Sequence, residues 1–242
     1  MSARRCKRLD TIRVLNSCLL ALAVLANGCA QPDRQSVRPG INKEYLDPAL
    51  DLARFEKRFS SESREVFVER GRIAAALELE PGMAVADIGA GTGIYMEPFA
   101  KEVGATGKVY AVDIAQPFVE HLRELARAGG WPQVEAVLCR EDSVALPPNS
   151  IDVAFLCDTY HHFEYPRATL ASIHRALRAG GKLVVVDFIR EPGVSRDWVL
   201  EHVRAGEATV TAEIEAAGFS RVRGPAVDYL HENYFVRFLK RP

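Results

Sequence analysis

The chain has 242 residues, 48% hydrophobic and 26% charged, a balance that suits one globular α/β domain with an extension and is short for two full domains. Its formal net charge of -1 conceals an asymmetry: residues 1–28 carry five basic side chains against Asp10, a net +4, which leaves about -5 on the rest. That acidic remainder excludes a general phosphate-binding surface, and with it a nucleic-acid partner.

The chain opens with a basic run (Arg4, Arg5, Lys7, Arg8), then an apolar stretch over 18–26, then Asn27-Gly28-Cys29. The apolar stretch is well short of the ~20 residues that a lasting transmembrane helix needs. The pattern resembles a bacterial lipoprotein signal peptide, in which a small residue precedes a cysteine that is lipidated after cleavage. Gly28 and Cys29 match. Ala26 departs, because a larger aliphatic residue is usual there and Leu25 stands one position earlier. The resemblance implies a signal over 1–28, lipid on Cys29, and a protein anchored in the bacterial cell envelope facing the periplasm. If the signal is not used, the protein is cytoplasmic.

Residues 29–59 form the next unit. The polar, proline-bearing stretch 30–41 reads as a tether. Residues 42–59 are charged with scattered apolar side chains, as in one short helix over a ligand entrance. From 60 to 242 the pattern is that of a domain. Ser60 or Ser61 can cap a helix running to about Leu79, with Val66, Ile73, Ala74 and Leu77 on one side. Strands are expected over 84–88, 108–113, 134–139, 151–158 and 182–188. Helices are expected over 95–103 and 117–128, and another opens at Pro166 and stops at Gly180-Gly181. A helix over 208–217 leads to a terminal pair of strands at 220–227 and 234–239. Strands alternating with helices make a doubly wound α/β sheet.

Chemistry concentrates where strands end. Asp87-Ile88-Gly89-Ala90-Gly91-Thr92-Gly93 carries three glycines at alternate positions between a strand and a helix. Glycines there permit positive φ and close ligand approach, and a helix start offers unpaired N–H groups to an anion. The acid two positions before Gly89 asks for a cationic group beside that anion; a methionine moiety has both. Asp113 ends the second strand 24 positions after Gly89, where a carboxylate can accept both ribose hydroxyls. Ile114 can pack on a purine. In Arg140-Glu141-Asp142-Ser143, Asp142 is favoured as acceptor of an adenine amine and Glu141 is the alternative, with a neighbouring backbone N–H such as that of Ser143 for a ring nitrogen. Asp158 closes the fourth strand at the cofactor, and Tyr160, His161 and His162 beyond it are candidates for the acceptor pocket or a general base. A metal site is not expected, since adjacent histidines diverge and no third ligand has suitable spacing.

These segments together resemble the class I S-adenosylmethionine (SAM)-dependent methyltransferase family, in its small-molecule branch. Leu177-Arg178-Ala179-Gly180-Gly181 and Ala216-Ala217-Gly218-Phe219 fall in the same order and spacing. The resemblance implies a Rossmann-like seven-stranded sheet in the order 3-2-1-4-5-7-6 with an antiparallel last strand. It also implies SAM as cofactor and direct in-line transfer of a methyl group to a small-molecule or lipid-like acceptor. In that order Cys139 and Cys157 lie three strand spacings apart, about 14 Å, beyond the ~7 Å a disulfide allows, so both are free thiols. Neither an acceptor atom nor an oligomeric state follows from these residues. Because SAM is made in the cytosol and the signal points outward, an exported, membrane-anchored binding module without catalysis is the alternative. A NAD-dependent oxidoreductase is disfavoured by the glycine spacing and by Asp87.

Overall fold

A computed structural model describes residues 34–242 apart from Ser63. These lie in one compact unit, Pro32–Pro242. The expected signal segment and Cys29 fall outside the described residues. No helix among those described is long and apolar enough to cross a membrane.

Seven strands form one sheet in the order β3-β2-β1-β4-β5-β7-β6. They are β1 (Ala84–Ile88), β2 (Lys108–Asp113), β3 (Val134–Leu138), β4 (Ile151–Cys157), β5 (Leu177–Phe188), β6 (Phe219–Val222) and β7 (Asn233–Lys240). β7 runs antiparallel to both β5 and β6, and the remaining pairs are parallel. The expected topology is therefore the observed one. Every residue of β1 is buried, as a central parallel strand covered on both faces requires. Ala84, Ala86 and Ile88 face a core built with α6 (Pro166–Ala176) and α8 (Glu207–Ala216). Val85 faces the other way, onto Ile73 of α3 (Arg70–Ala76) and Phe99 of α4 (Met96–Val103). The strand's period of two thus glues helices to both faces.

Differences from expectation have local causes. The capped helix over 60–79 is replaced by α1 (Leu52–Glu62), α2 (Arg64–Val68) and α3. Ser61 lies inside α1 and donates its hydroxyl to the Arg58 carbonyl instead of capping. The expected apolar side survives, for Val66, Ile73, Ala74 and Leu77 share one core. Gly180-Gly181 does not stop α6. That helix ends at Ala176, and the two glycines sit within β5, where its register against β4 breaks between Ile151 and Val153. At Gly181 a Cβ would stand 3.1 Å from the Asp152 carbonyl oxygen, a tight fit that favours a residue without one. The domain boundary expected at 60 lies inside the compact unit, because α1 is welded to it. Phe55 and Phe59 pack with Phe118 of α5 (Gln116–Gly129). One helix was missed, α7 (Asp197–His202), whose six residues are too few to show a period.

The glycine loop is fixed by packing as well as by ligand needs. Gly93 has φ +82°, and a Cβ there would stand 2.9 Å from Leu122 and Leu125 of α5. Gly93→Ala is expected to destabilise the fold by about 1–3 kcal/mol through backbone strain and overpacking. A lower midpoint in denaturant unfolding with an unchanged slope checks this.

Candidate active site

The parallel register sets the carboxyl ends of β1 and β2 side by side, and Asp87 and Asp113 stand there. In a doubly wound sheet this is where ligands bind. The loop after β1 turns sharply, with Gly89 at φ +78° and Gly91 at φ +51°. Gly89 and Ala90 donate N–H bonds to the Val112 carbonyl at 2.8 and 3.0 Å. Asp113 pins the loop from below: its Oδ2 accepts the Gly91 N–H at 2.8 Å and its Oδ1 the Ala115 N–H at 2.9 Å. A carboxylate has about four acceptor sites, so these bonds leave acceptor capacity for a hydroxyl.

Asp87 is treated differently. It is 2% exposed, and its Oδ2 is buried without a hydrogen-bond partner. Burial, helped by the negative Asp113, pushes its carboxyl up to about 8. Burial likewise raises Asp113 to about 6, against the backbone N–H groups of Ala115, Gly91 and Ile114 that favour its charged form. An acid in that state fits a ligand ammonium, which would supply both the missing partner and the missing positive charge.

A cavity of about 360 Å³ opens above the loop. Among residues singled out from sequence, Asp87, Gly89, Ala90, Gly91 and Thr92 line it. So do Asp113, Ile114, Glu141 and Asp158. Asp158 has φ +49°, and its Oδ1 accepts the Asn233 side-chain N–H at 2.6 Å. Gly93, Asp142 and Ser143 do not line the cavity. Gly93 serves packing; Asp142 pairs with Arg34 and Arg140; the Ser143 hydroxyl accepts the Ala145 N–H at 3.3 Å. The preference for Asp142 over Glu141 is therefore corrected. Glu141 faces the cavity, where the Asn42 side-chain amide donates to it at 3.1 Å.

Beyond β4 the chain makes a 3₁₀ turn, Tyr160–His162. Tyr160 is withdrawn from the candidates: it is fully buried, off the cavity, and donates to Glu213 at 2.8 Å. His161 and His162 do line the cavity. Asp187, at the end of β5, holds His161 by Oδ1 to Nδ1 at 2.7 Å, and its Oδ2 accepts the His161 backbone N–H at 3.1 Å. Oδ1 also accepts the Phe188 N–H, so the carboxylate faces donors on both sides and the ring nitrogen against it is the donor. Burial, with His161 and His202 beside it, keeps His162 well below the usual histidine range, so it is neutral at physiological pH.

Sequence reasoning missed His202 and Trp198 of α7 and Phe188, which complete this end of the cavity. The segment 42–59, expected over the ligand entrance, does line the cavity, through Asn42, Tyr45, Arg58 and Phe59, none of which had been singled out. The signal available was positional, since the loop after β5 also leaves a carboxyl end of the sheet. Cys139 and Cys157 are free and both line the cavity, but burial pushes each thiol up, which leaves them poor nucleophiles.

Comparisons with known proteins agree with this geometry. Residues 86–185 match the family model of a methyltransferase domain. A SAM-dependent methyltransferase from Aquifex aeolicus is 28% identical, with a TM-score of 0.67 over 78% of this chain and 98% of that one. A ubiquinone/menaquinone biosynthesis C-methyltransferase from Burkholderia cenocepacia is 31% identical over 47% of this chain and 46% of its own. A 37.1 kDa protein of a Streptomyces fradiae transposon is 36% identical over 46% of this chain and 31% of its own. The chain thus spans less than half the length of these curated relatives. The cyclase SpnF shares the fold at 19% identity and a TM-score of 0.58 over 71% of this chain and 80% of that one, so the fold alone does not fix the reaction. Residues 86–185 thus match a methyltransferase domain, and the sheet has the fold of a SAM-dependent methyltransferase. SAM is the cofactor that Asp87, the glycine loop and Asp113 fit.

The raised Asp87 carboxyl has a consequence for stability. Its folded-state value lies far above the ordinary 3.8, so the stability this group contributes is fully present below about pH 4. It is lost progressively as pH rises towards about 8. Without SAM, Asp87→Asn is expected to unfold at a higher temperature than the parent at pH 8, and the difference should shrink towards pH 5. Thermal melts across that range check the sign.

Proposed function

We propose that the chain transfers a methyl group from SAM to a small-molecule or lipid-like acceptor bound in the same cavity. The observation that carries this reading is that one cavity joins two chemically distinct ends. Asp87, the glycine loop and Asp113 lie at one end, and His161, His162 and His202, with Trp198 and Phe188, lie at the other. The first end suits the methionine and ribose parts of SAM, and Ile114 and Glu141 suit its adenine. The second is largely aromatic, with three imidazoles among the rings, which suits an apolar acceptor with one protic atom.

The sulfonium already activates the methyl group. A lone pair of the acceptor forms the new bond to the methyl carbon as the carbon–sulfur bond breaks, and its electron pair returns to sulfur. The acceptor's proton leaves through the histidine end to solvent. The protein's part is alignment and exclusion of water, which can lower the barrier by about 7–11 kcal/mol. α1 and the segment before it contribute to that exclusion, for Phe59 lies over Gly91 and Tyr45 meets His162 edge to face at 5.0 Å.

Calorimetric titration is expected to show SAM binding in the micromolar range, about -8 kcal/mol, lost in Asp113→Ala and absent with NAD. Incubation with tritiated SAM and a bacterial extract is expected to label a molecule of low mass. SAM binding without label in any fraction contradicts catalysis and leaves the binding-module alternative. We also propose that residues 1–28 direct export and that Cys29 carries lipid. Intact mass of the membrane fraction should then show loss of 1–28 and a lipid adduct, whereas an unprocessed chain refutes it.

A further inference from the structure

His161 and His162 lie in the turn after β4, and His202 ends α7, 40 positions further along the chain. The fold brings one ligand-capable nitrogen from each within 4.8 Å of the other two. Nε2 of His162 and Nε2 of His202 are 3.3 Å apart. Metal–nitrogen bonds of about 2.05 Å in a tetrahedral arrangement set neighbouring nitrogens about 3.3 Å apart. Closing the cluster therefore requires the widest pair to approach by at most about 1.5 Å, within reach of side-chain rotation. We propose that His161, His162 and His202 form a binding site for a divalent transition-metal ion, with its remaining position open to the cavity.

Three further features support a site over a simple stack of rings. Asp187 grips Nδ1 of His161 at 2.7 Å, itself buried and held by two backbone N–H groups. A carboxylate behind a histidine in this way fixes the tautomer and ring orientation that a metal requires. The hydrogen bonds present do not exhaust the cluster, since Nδ1 of His162 is buried without a partner. Around the imidazoles stand Phe188 and Trp198, whose rings lie 5.9 Å from His161 and 6.0 Å from His202. Such an apolar shell strengthens coordination by excluding water. An all-imidazole set selects ions of the zinc, nickel and iron(II) class over magnesium or calcium, which prefer oxygen. Three protein ligands with an open position is the arrangement of a Lewis-acid site.

The open position faces the part of the cavity assigned to the acceptor, so the ion would hold the acceptor's heteroatom and favour loss of its proton to solvent. That role rests on the methyltransferase reading; ion binding itself does not.

The full chain, stripped with a chelator, is to be titrated with cobalt(II) chloride while visible absorption is followed. One cobalt per chain is expected, with the d–d bands of a four- or five-coordinate site that zinc displaces. His202→Ala and the bulkier His202→Gln should lose the bands. Asp187→Asn should bind cobalt about 10–100-fold more weakly. SAM titration of the same variants reports whether the fold is retained, because His202 lies outside the cofactor end. A parent without d–d bands overturns the proposal. So does unchanged cobalt affinity in a His202 variant that still binds SAM. Cobalt binding by a parent that fails to bind SAM leaves the metal site standing and removes the methyltransferase reading.

Discussion

Two carboxylates buried at the ends of neighbouring strands, beneath a loop of glycines, impose the constraint on which the site depends. Burying a charge is costly unless it is paired or hydrogen-bonded. Asp113 is compensated by N–H groups of Gly91 and Ala115, and in return it fixes the loop's shape. Asp87 keeps one oxygen without a partner. The protein folds around an incomplete electrostatic arrangement, and the missing part has the chemistry of an ammonium next to an anion. Gly89 and Gly91 follow from this, since positive φ folds the loop back so that their N–H groups meet the Val112 carbonyl and the Asp113 carboxylate.

The other end of the cavity obeys a different rule. Three imidazoles stand there, that of His161 oriented by Asp187, and aromatic rings surround them. A low-polarity wall favours an acceptor stripped of water, and dry surroundings strengthen the few polar contacts that remain. The segment from Asn42 to α1 belongs to this wall as much as the sheet does. Asn42 donates to Glu141 at the adenine side and to the His162 carbonyl at 3.2 Å, so one side chain ties the two ends together.

The strands and the glycine loop were legible in the sequence because both rest on local rules, and the sheet order came only with the family resemblance that those motifs carry. A buried parallel strand reads as a continuous apolar run, as in β5, and a strand–glycine–helix turn announces itself at Asp87–Gly93. The acid at the end of β2 needed only its position. What escaped depends on contacts distant in sequence. Asp142 and Glu141 look alike as neighbouring acids, and only pairing of Asp142 with Arg34 and Arg140 turns it away from the cavity. Tyr160 beside two histidines reads as a site residue until Glu213, 53 positions on, takes its hydroxyl. His202 sits on a helix too short to show a period, and its proximity to His162 is a product of topology alone. The glycines of β5 signalled a break in regular structure, but spacing could not tell a helix stop from a bulge.

The central claim is that Asp87 receives the cofactor's ammonium, and proton release on binding tests it most directly. Near pH 7 the buried carboxyl, pushed up to about 8, holds its proton; pairing with an ammonium makes it give that proton up. SAM titrations at pH 7 in buffers of different ionisation enthalpy should show release of most of one proton per SAM bound, and Asp87→Asn should abolish that release. A binding heat independent of the buffer, with SAM still bound tightly by the parent, would contradict the account.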